Sequence, residues 1–267
     1  ADLRKQSGTI NEKYLEVYHR PAMDGIFNTE EGIALIKQEN EINKKLNIAQ
    51  WKFIEEHPEN IVGYDLALQF LQGMYVNLTV PQLEQLTTLI TKAWANIPPM
   101  AENFKTIADK AKTMAIGEKY QDIELMNPEG KMVKLSSCVP EGKYVMLEFW
   151  ASWCGPCRAE IPHLKEAFES CNGKGVEFLS VSIDKDGAAW RKAMKEENMP
   201  WAQVQAPKAG KDVMKLYQFS GIPYILVLDQ EGRIVGKNLR GKALMDKLEE
   251  MVSGKKKESV AMPAMGM

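Results

Sequence analysis

Tyr144-Val145-Met146-Leu147-Glu148-Phe149-Trp150-Ala151-Ser152-Trp153-Cys154-Gly155-Pro156-Cys157-Arg158 decides the fold of this chain. Its first half is an apolar run of strand length. Its second half opens a stretch that reads as a helix, with Pro156 in the first turn, where a missing N–H is no loss. Two cysteines separated by two residues at a strand-to-helix junction suit thiol–disulfide exchange. Cys154 sits where unpaired backbone N–H groups and the helix dipole favour a thiolate, so it is the expected nucleophile. Cys157 lies one turn on, more buried and less ionised, and is the expected resolving thiol. Trp153 is expected to shield one side of the sulfurs, and Pro162 to kink the helix.

Glu148 is the second candidate. Alternation puts it on the opposite strand face from Leu147 and Phe149, in a run too apolar for an exposed strand. A buried carboxyl there has its pKa raised by desolvation and can accept or return the Cys157 proton. The competing reading is a solvent-facing glutamate on an edge strand. Glu160, three residues past Cys157, has two open readings: capping its own helix as an acid near the positive dipole end, or tuning the cysteines. His163 is offset from the cysteines along the helix and reads as a packing or solvent-facing histidine. Pro223, in Ser220-Gly221-Ile222-Pro223-Tyr224, reads as a strand-start proline, and periodicity alone does not make its bond cis.

Outward from this core the chain changes character. Residues 1–116 read as a helical N-terminal region. Thr29 with Asn28 caps a helix opening on Glu30 and Glu31, whose apolar stripe is Ile33, Ile36, Ile42, Leu46, Ala49 and Phe53. A second helix is expected over residues 61–75. Thr79 and Gln82 form a capping box for a third, buried through Leu83, Leu86, Leu89, Ile90 and Trp94. Pro98-Pro99 is read as a break before a fourth helix that ends at Gly117. No repeated signature residues mark a helical repeat. From residue 117 the order is hairpin (around Asn127-Pro128-Glu129-Gly130), strand 143–150, helix 155–171, strand 176–183, helix 187–197, extended piece 201–204, helix 211–218, strand 224–228, strand 233–237 and helix 242–252. This is an α/β domain over residues 117–253, a mixed sheet flanked by helices. Residues 254–267, with Lys255-Lys256-Lys257 and Met262, Met265 and Met267, read as a mobile tail rather than a copper-binding thioether cluster.

The chain has 267 residues, room for two modest domains. Its net charge of −2 gives no basic field for nucleic acid. No apolar run approaches the ~18 residues of a membrane span. The polar start Ala1-Asp2-Leu3-Arg4-Lys5 is not a secretory signal, which fits a cytosolic protein or a trimmed secreted one. Of four cysteines, Cys138 and Cys171 have no metal-ligand spacing, and no metal or cofactor is expected. Both are expected at the pole opposite the CxxC, where a structural disulfide between them competes with two independent thiols.

The stretch Leu147–Pro162, with Val181-Ser182-Ile183-Asp184, Gly221-Ile222-Pro223 and Asp229-Gln230-Glu231-Gly232-Arg233-Ile234, resembles the thioredoxin superfamily, and within it the bacterial envelope thiol-disulfide oxidoreductases of the TlpA/ResA type. The resemblance spans about residues 117–252. It implies Cys154 as attacking and Cys157 as resolving thiol, with Gly155 and Pro156 as the thioredoxin dipeptide, which points to the reducing direction. It implies Pro223 as a cis-proline facing the disulfide, with Ile222 offering backbone pairing to a substrate chain. Glu148 matches the buried acid of thioredoxins, and Glu160 the acid after the CxxC in ResA-like members. The implied partners are protein disulfides or dithiols and an upstream membrane or envelope thiol reductant. The implied place is the periplasm or outer envelope, anchored in the precursor. Tyr224 departs from the small polar residue usual there and is expected to narrow the substrate groove. A peroxidase of the peroxiredoxin type is the alternative, but Leu147 and Ala151 stand where that family carries Pro and a Thr or Ser hydroxyl. A partner-binding protein with an accessory redox domain is the second alternative. In either case the helical region is a candidate for homodimerisation.

Overall fold

Thr29 shows how the helical region is built: its Oγ1 accepts the Gly32 N–H at 3.1 Å and starts α1 (Glu30–Glu56). The computed structural model describes residues 5–6, 8–10, 12–13, 29–72, 77–171 and 173–254. Asn28, the end of the expected second helix at Met74-Tyr75 and the tail from Lys255 lie outside them. The chain divides into two compact units, the first ending at Glu118 and the second beginning at Lys119.

In the first unit, Asn60 caps α2 (Ile61–Leu71) through a 2.9 Å bond from the Val62 N–H. Gln82 closes the capping box of α3 (Val80–Ala93), its Oε1 accepting the Thr79 N–H at 2.9 Å. Pro98 and Pro99 do not break the chain before α4 (Pro98–Lys112). They are its first two residues, where φ near −65° is helical and the absent N–H has no helical acceptor. The stripe predicted on α1 is also displaced. Leu35, Asn47, Trp51 and Ile54 are buried, whereas Ile33, Ile36, Ile42, Leu46 and Phe53 are half-buried and Ala49 is exposed. The reason is tertiary. Trp51 meets Phe70 edge-on at 5.3 Å, so the buried side of the helix near its C-terminal end is set by its neighbours as well as by its own apolar stripe. Trp51 and Ile54 join Phe70, Leu83, Leu86, Ile90 and Phe104 in a single core cluster.

The second unit carries one seven-stranded sheet, ordered β2-β1-β5-β4-β3-β6-β7. β1 (Glu124–Met126) and β2 (Met132–Lys134) form the expected hairpin. β3 (Tyr144–Trp150) runs parallel to β4 (Val176–Ser182), which runs parallel to β5 (Ala202–Gln205). β6 (Tyr224–Leu228) is antiparallel to β3 and to β7 (Ile234–Lys237). The helices are α5 (Gly155–Cys171), α6 (Gly187–Glu197), α7 (Lys211–Tyr217) and α8 (Gly241–Ser253). α5 and α8 pack together. Pro162 is carried inside α5 without ending it.

β3 is therefore interior, paired on both edges, and every residue from Val145 to Trp150 is buried. A run buried on both faces needs a continuous apolar sequence, which is what residues 145–150 supply except at Glu148. Cys138 and Cys171 are free thiols, so the bridge considered between them is corrected: Cys138 follows the short turn after β2 and is half-buried, while Cys171 is buried at the end of α5. Each has a serine hydroxyl beside its sulfur instead, Ser137 Oγ at 3.9 Å and Ser170 Oγ at 3.6 Å.

Candidate active site

Cys154 and Cys157 form a disulfide at the start of α5. Cys154 retains 5% of its surface exposed and Cys157 none, so the sulfur within reach of another protein belongs to Cys154. The Cys157 backbone N–H points at Cys154 Sγ at 3.1 Å. This is the helix N-terminal donor that favours negative charge on that sulfur. Gly155 and Pro156, the residues between the cysteines, form the first helical turn. The Ile222 carbonyl oxygen lies 3.7 Å from Cys154 Sγ, and the Ile222–Pro223 bond is cis. Arg240 Nη2 donates to the Pro223 carbonyl at 2.6 Å, holding this loop from behind. Trp153 is 68% exposed next to Cys154 in the chain, so it presents apolar surface to solvent. Tyr224 is half-buried and stacks on Phe219 at 4.9 Å.

The loop before Cys154 is tied by Asp184, a residue to which the sequence assigned no task. Ser152 N–H donates to Asp184 Oδ2 at 2.9 Å and Ser152 Oγ to Oδ1 at 2.6 Å. Ser182 Oγ adds a third bond to Oδ2 at 2.7 Å. Gln205 fixes the Asp184 carbonyl at 2.8 Å. A buried carboxylate is kept only when such donors surround it. The only sequence sign was that Ser182 and Asp184 fell in a stretch carrying the family resemblance.

Glu148 is fully buried on interior strand β3, which rules out the edge-strand reading. The parallel register sets it opposite Ser180, whose Oγ donates to Glu148 Oε2 at 2.6 Å. Burial pushes its pKa up to about 8. The Ser180 bond opposes this, the Glu160 charge adds to it and Arg240 opposes it. That value lies close to the ordinary thiol range near 8.5.

Glu160 does something neither sequence reading anticipated. It is buried, and its Oε1 accepts the Gly241 N–H at 2.7 Å, so it caps α8, not its own helix. Burial raises its pKa, against the Gly241 bond, His163 and Arg240. His163 thus faces Glu160 rather than solvent alone. Leu147 and Ala151 are fully buried apolar side chains, with no hydroxyl to position a peroxide. Among the described residues no group of three or more His, Cys, Asp or Glu gathers as a metal site, and no helix is long and apolar enough to cross a membrane.

The AhpC/TSA family matches residues 116–237. The thiol-disulfide oxidoreductase ResA of Bacillus cereus is 30% identical over 142 residues, 53% of this chain and 79% of that protein. The ResA protein of Oceanobacillus iheyensis is 31% identical over 145 residues, covering 53% and 73%. A solved C-terminal domain from Bacteroides thetaiotaomicron superposes with a TM-score of 0.50 at 29% identity, over 53% of this chain and 99% of that one. The mixed sheet, the CxxC at its strand-to-helix junction and these likenesses agree: the chain belongs to the ResA-like thiol-disulfide oxidoreductases, enzymes whose substrates are protein thiols and disulfides.

Proposed function

We propose that the chain reduces disulfides of proteins outside the cytoplasm through a Cys154/Cys157 dithiol–disulfide cycle. The observation that carries this reading is the unequal exposure of the two sulfurs beside a backbone acceptor, the Ile222 carbonyl. Cys154 thiolate attacks one sulfur of the substrate disulfide. The bond between Cys154 and that sulfur forms, and the other substrate sulfur leaves as a thiolate. Glu148, in its ionised form, takes the Cys157 proton, and Cys157 attacks Cys154 Sγ. The intramolecular disulfide closes, the second substrate thiolate is released, and two electrons have passed to the substrate. Ile222 and Pro223 form the platform against which the substrate backbone lies. Trp153, exposed beside them, supplies apolar contact.

The dipeptide Gly155-Pro156 supports the reducing direction. A return to the dithiol then requires an upstream thiol reductant, which we assign to the envelope together with an anchor in the precursor. Disulfides persist in oxidising compartments, where such substrates accumulate. The helical unit is assigned to holding the redox unit in place or pairing two copies. Ile61, Val62 and Ile97, at 60%, 53% and 47% exposure, supply apolar surface for that purpose. Comparing the association state of the full chain with that of residues 119–267 tests it.

The exchange cycle is tested with Cys157→Ser in the native cell. Mixed disulfides on Cys154 should accumulate and identify the substrates by mass spectrometry. A variant that traps no partner refutes the cycle.

A further inference from the structure

Ser180 lies between two buried groups that leave its hydroxyl one arrangement. Trp201 Nε1 can only donate, and it donates to Ser180 Oγ at 2.8 Å. The Ser180 proton then goes to Glu148 Oε2, 2.6 Å away. Glu148 Oε1 is buried and has no hydrogen-bond partner among the described residues. A proton placed on Oε2 would have to be donated to Ser180. The serine proton would then have no acceptor and Oε1 would remain unsatisfied, two unmet groups instead of one. Unmet buried donors and acceptors each carry a desolvation penalty, so the first arrangement wins.

We propose that Ser180 and Trp201 are positioning residues that hold Glu148 Oε2 as a permanent acceptor and leave Oε1 as the oxygen that takes up and returns the proton. This deepens the exchange reading and rests on the role of Glu148 in it. The reaction at Oε1 is a proton transfer only: carboxylate and Cys157 thiol go to carboxylic acid and thiolate, with no change of oxidation state. Trp201 acts through Ser180. By consuming one hydroxyl lone pair it polarises the O–H and strengthens its bond to Oε2. Other charged groups bear on the same carboxyl: Glu160 on α5, itself faced by His163, and Arg240 at the start of α8. None of them is altered in the variants below, so their contribution stays constant.

The test is a 13C titration of the Glu148 carboxyl in the disulfide form of the full chain, where Cys157 cannot titrate with it. The resonance is assigned by its absence from Glu148→Gln. Ser180→Ala should move the midpoint alkaline by about one pH unit, a tenfold change in the ionisation constant, because the ionised form loses a charge-assisted hydrogen bond. Ser180→Thr keeps the hydroxyl and should restore the wild-type midpoint. Trp201→Phe should shift it alkaline by less than Ser180→Ala. The pH dependence of turnover should move in the same order. A midpoint unchanged in Ser180→Ala, or Ser180→Thr behaving like Ser180→Ala, overturns the proposal while leaving Glu148 as proton carrier. A Glu148 that titrates in the ordinary carboxylate range in every variant overturns the proton-carrier reading and the proposal with it.

Discussion

The two units bury polar groups very differently. In the described part of the helical unit Asn47 is the one polar side chain in the buried class, and hydroxyls there mostly bond back to a carbonyl one turn earlier, as Thr87 does to Leu83 and Thr91 to Thr87. The redox unit buries Glu148, Glu160, Ser180, Ser182, Asp184, Gln203 and Gln205. Their bonds span long stretches of chain, from Ser152 to Asp184, from Ser180 to Glu148, and from Glu160 to Gly241. Burying a carboxyl is unfavourable unless donors are arranged around it. The redox unit meets that condition for Glu148, Glu160 and Asp184 with donors from Ser180, Gly241 and Ser152. The described part of the helical unit is held by an apolar core and local caps.

The largest expected effect tests that contrast at its centre. Glu148→Gln should slow disulfide reduction by about 10²-fold, the usual size of a general acid–base contribution. It should also change stability in the opposite sense. The native carboxyl stays protonated up to about 8, whereas an ordinary glutamate titrates at 4.5. Between these values the native state holds a proton that the unfolded chain has released. Stability therefore falls as pH rises through this window, by up to about 1.4 kcal/mol per pH unit, and is lowest above it. Urea unfolding of the disulfide form from pH 4 to 9 should show this slope in the wild type and a shallower one in Glu148→Gln, where the raised Glu160 remains. A variant equally active at all pH values, or a wild type without the slope, breaks the comparison.

Next in size is a matched pair. Ile90→Ala empties a fully buried site in the helical core and should cost about 2–5 kcal/mol there. Asp184→Ala strips the acceptor from Ser152 and Ser182 and should cost about 1–3 kcal/mol. Amide hydrogen exchange, read separately in the two units, should locate each loss in its own unit. Exchange turnover should fall about tenfold for Asp184→Ala, which loosens the loop before Cys154, and stay at the wild-type rate for Ile90→Ala. Equal turnover in both variants would mean that the buried polar ties of the redox unit are structural only. The smallest effect is local: Thr79→Ala should remove about 1 kcal/mol from α3 by opening its capping box, seen as faster amide exchange in its first turn.

Much of the secondary structure was readable because its signals are local. Helices 155–171 and 187–197 and strand 224–228 fall at the predicted limits; for the first and the last, a CxxC with a first-turn proline and a strand-start Pro223 are signals read within a few residues. Two features depart from the sequence expectation, for different physical reasons. Pro98-Pro99 was read as a break although the same chemistry favours a helix start, and a dipeptide cannot say which side of it is helical. Ile33, Ile36 and Ala49 were read as a buried stripe because periodicity gives the apolar side of a helix, not the angle at which Trp51 and Phe70 meet.

The site divides along the same line. Cys154, Cys157, Glu148 and Pro223 could be nominated from the sequence by residue type, spacing and family resemblance. The tasks of Glu160, Ser180, Asp184, Trp201 and Arg240 could not, because each acts on a group brought near only by the sheet order or by the packing of α5 on α8. Sequence by itself determined which residues carry reactive atoms, since reactivity begins with the side chain and its neighbours along the chain. Tertiary structure alone decided how those atoms are tuned. Burial, hydrogen-bond direction and the charge of a distant residue depend on separation in space, which the parallel pairing of β3 with β4 and the seating of Gly241 on Glu160 establish.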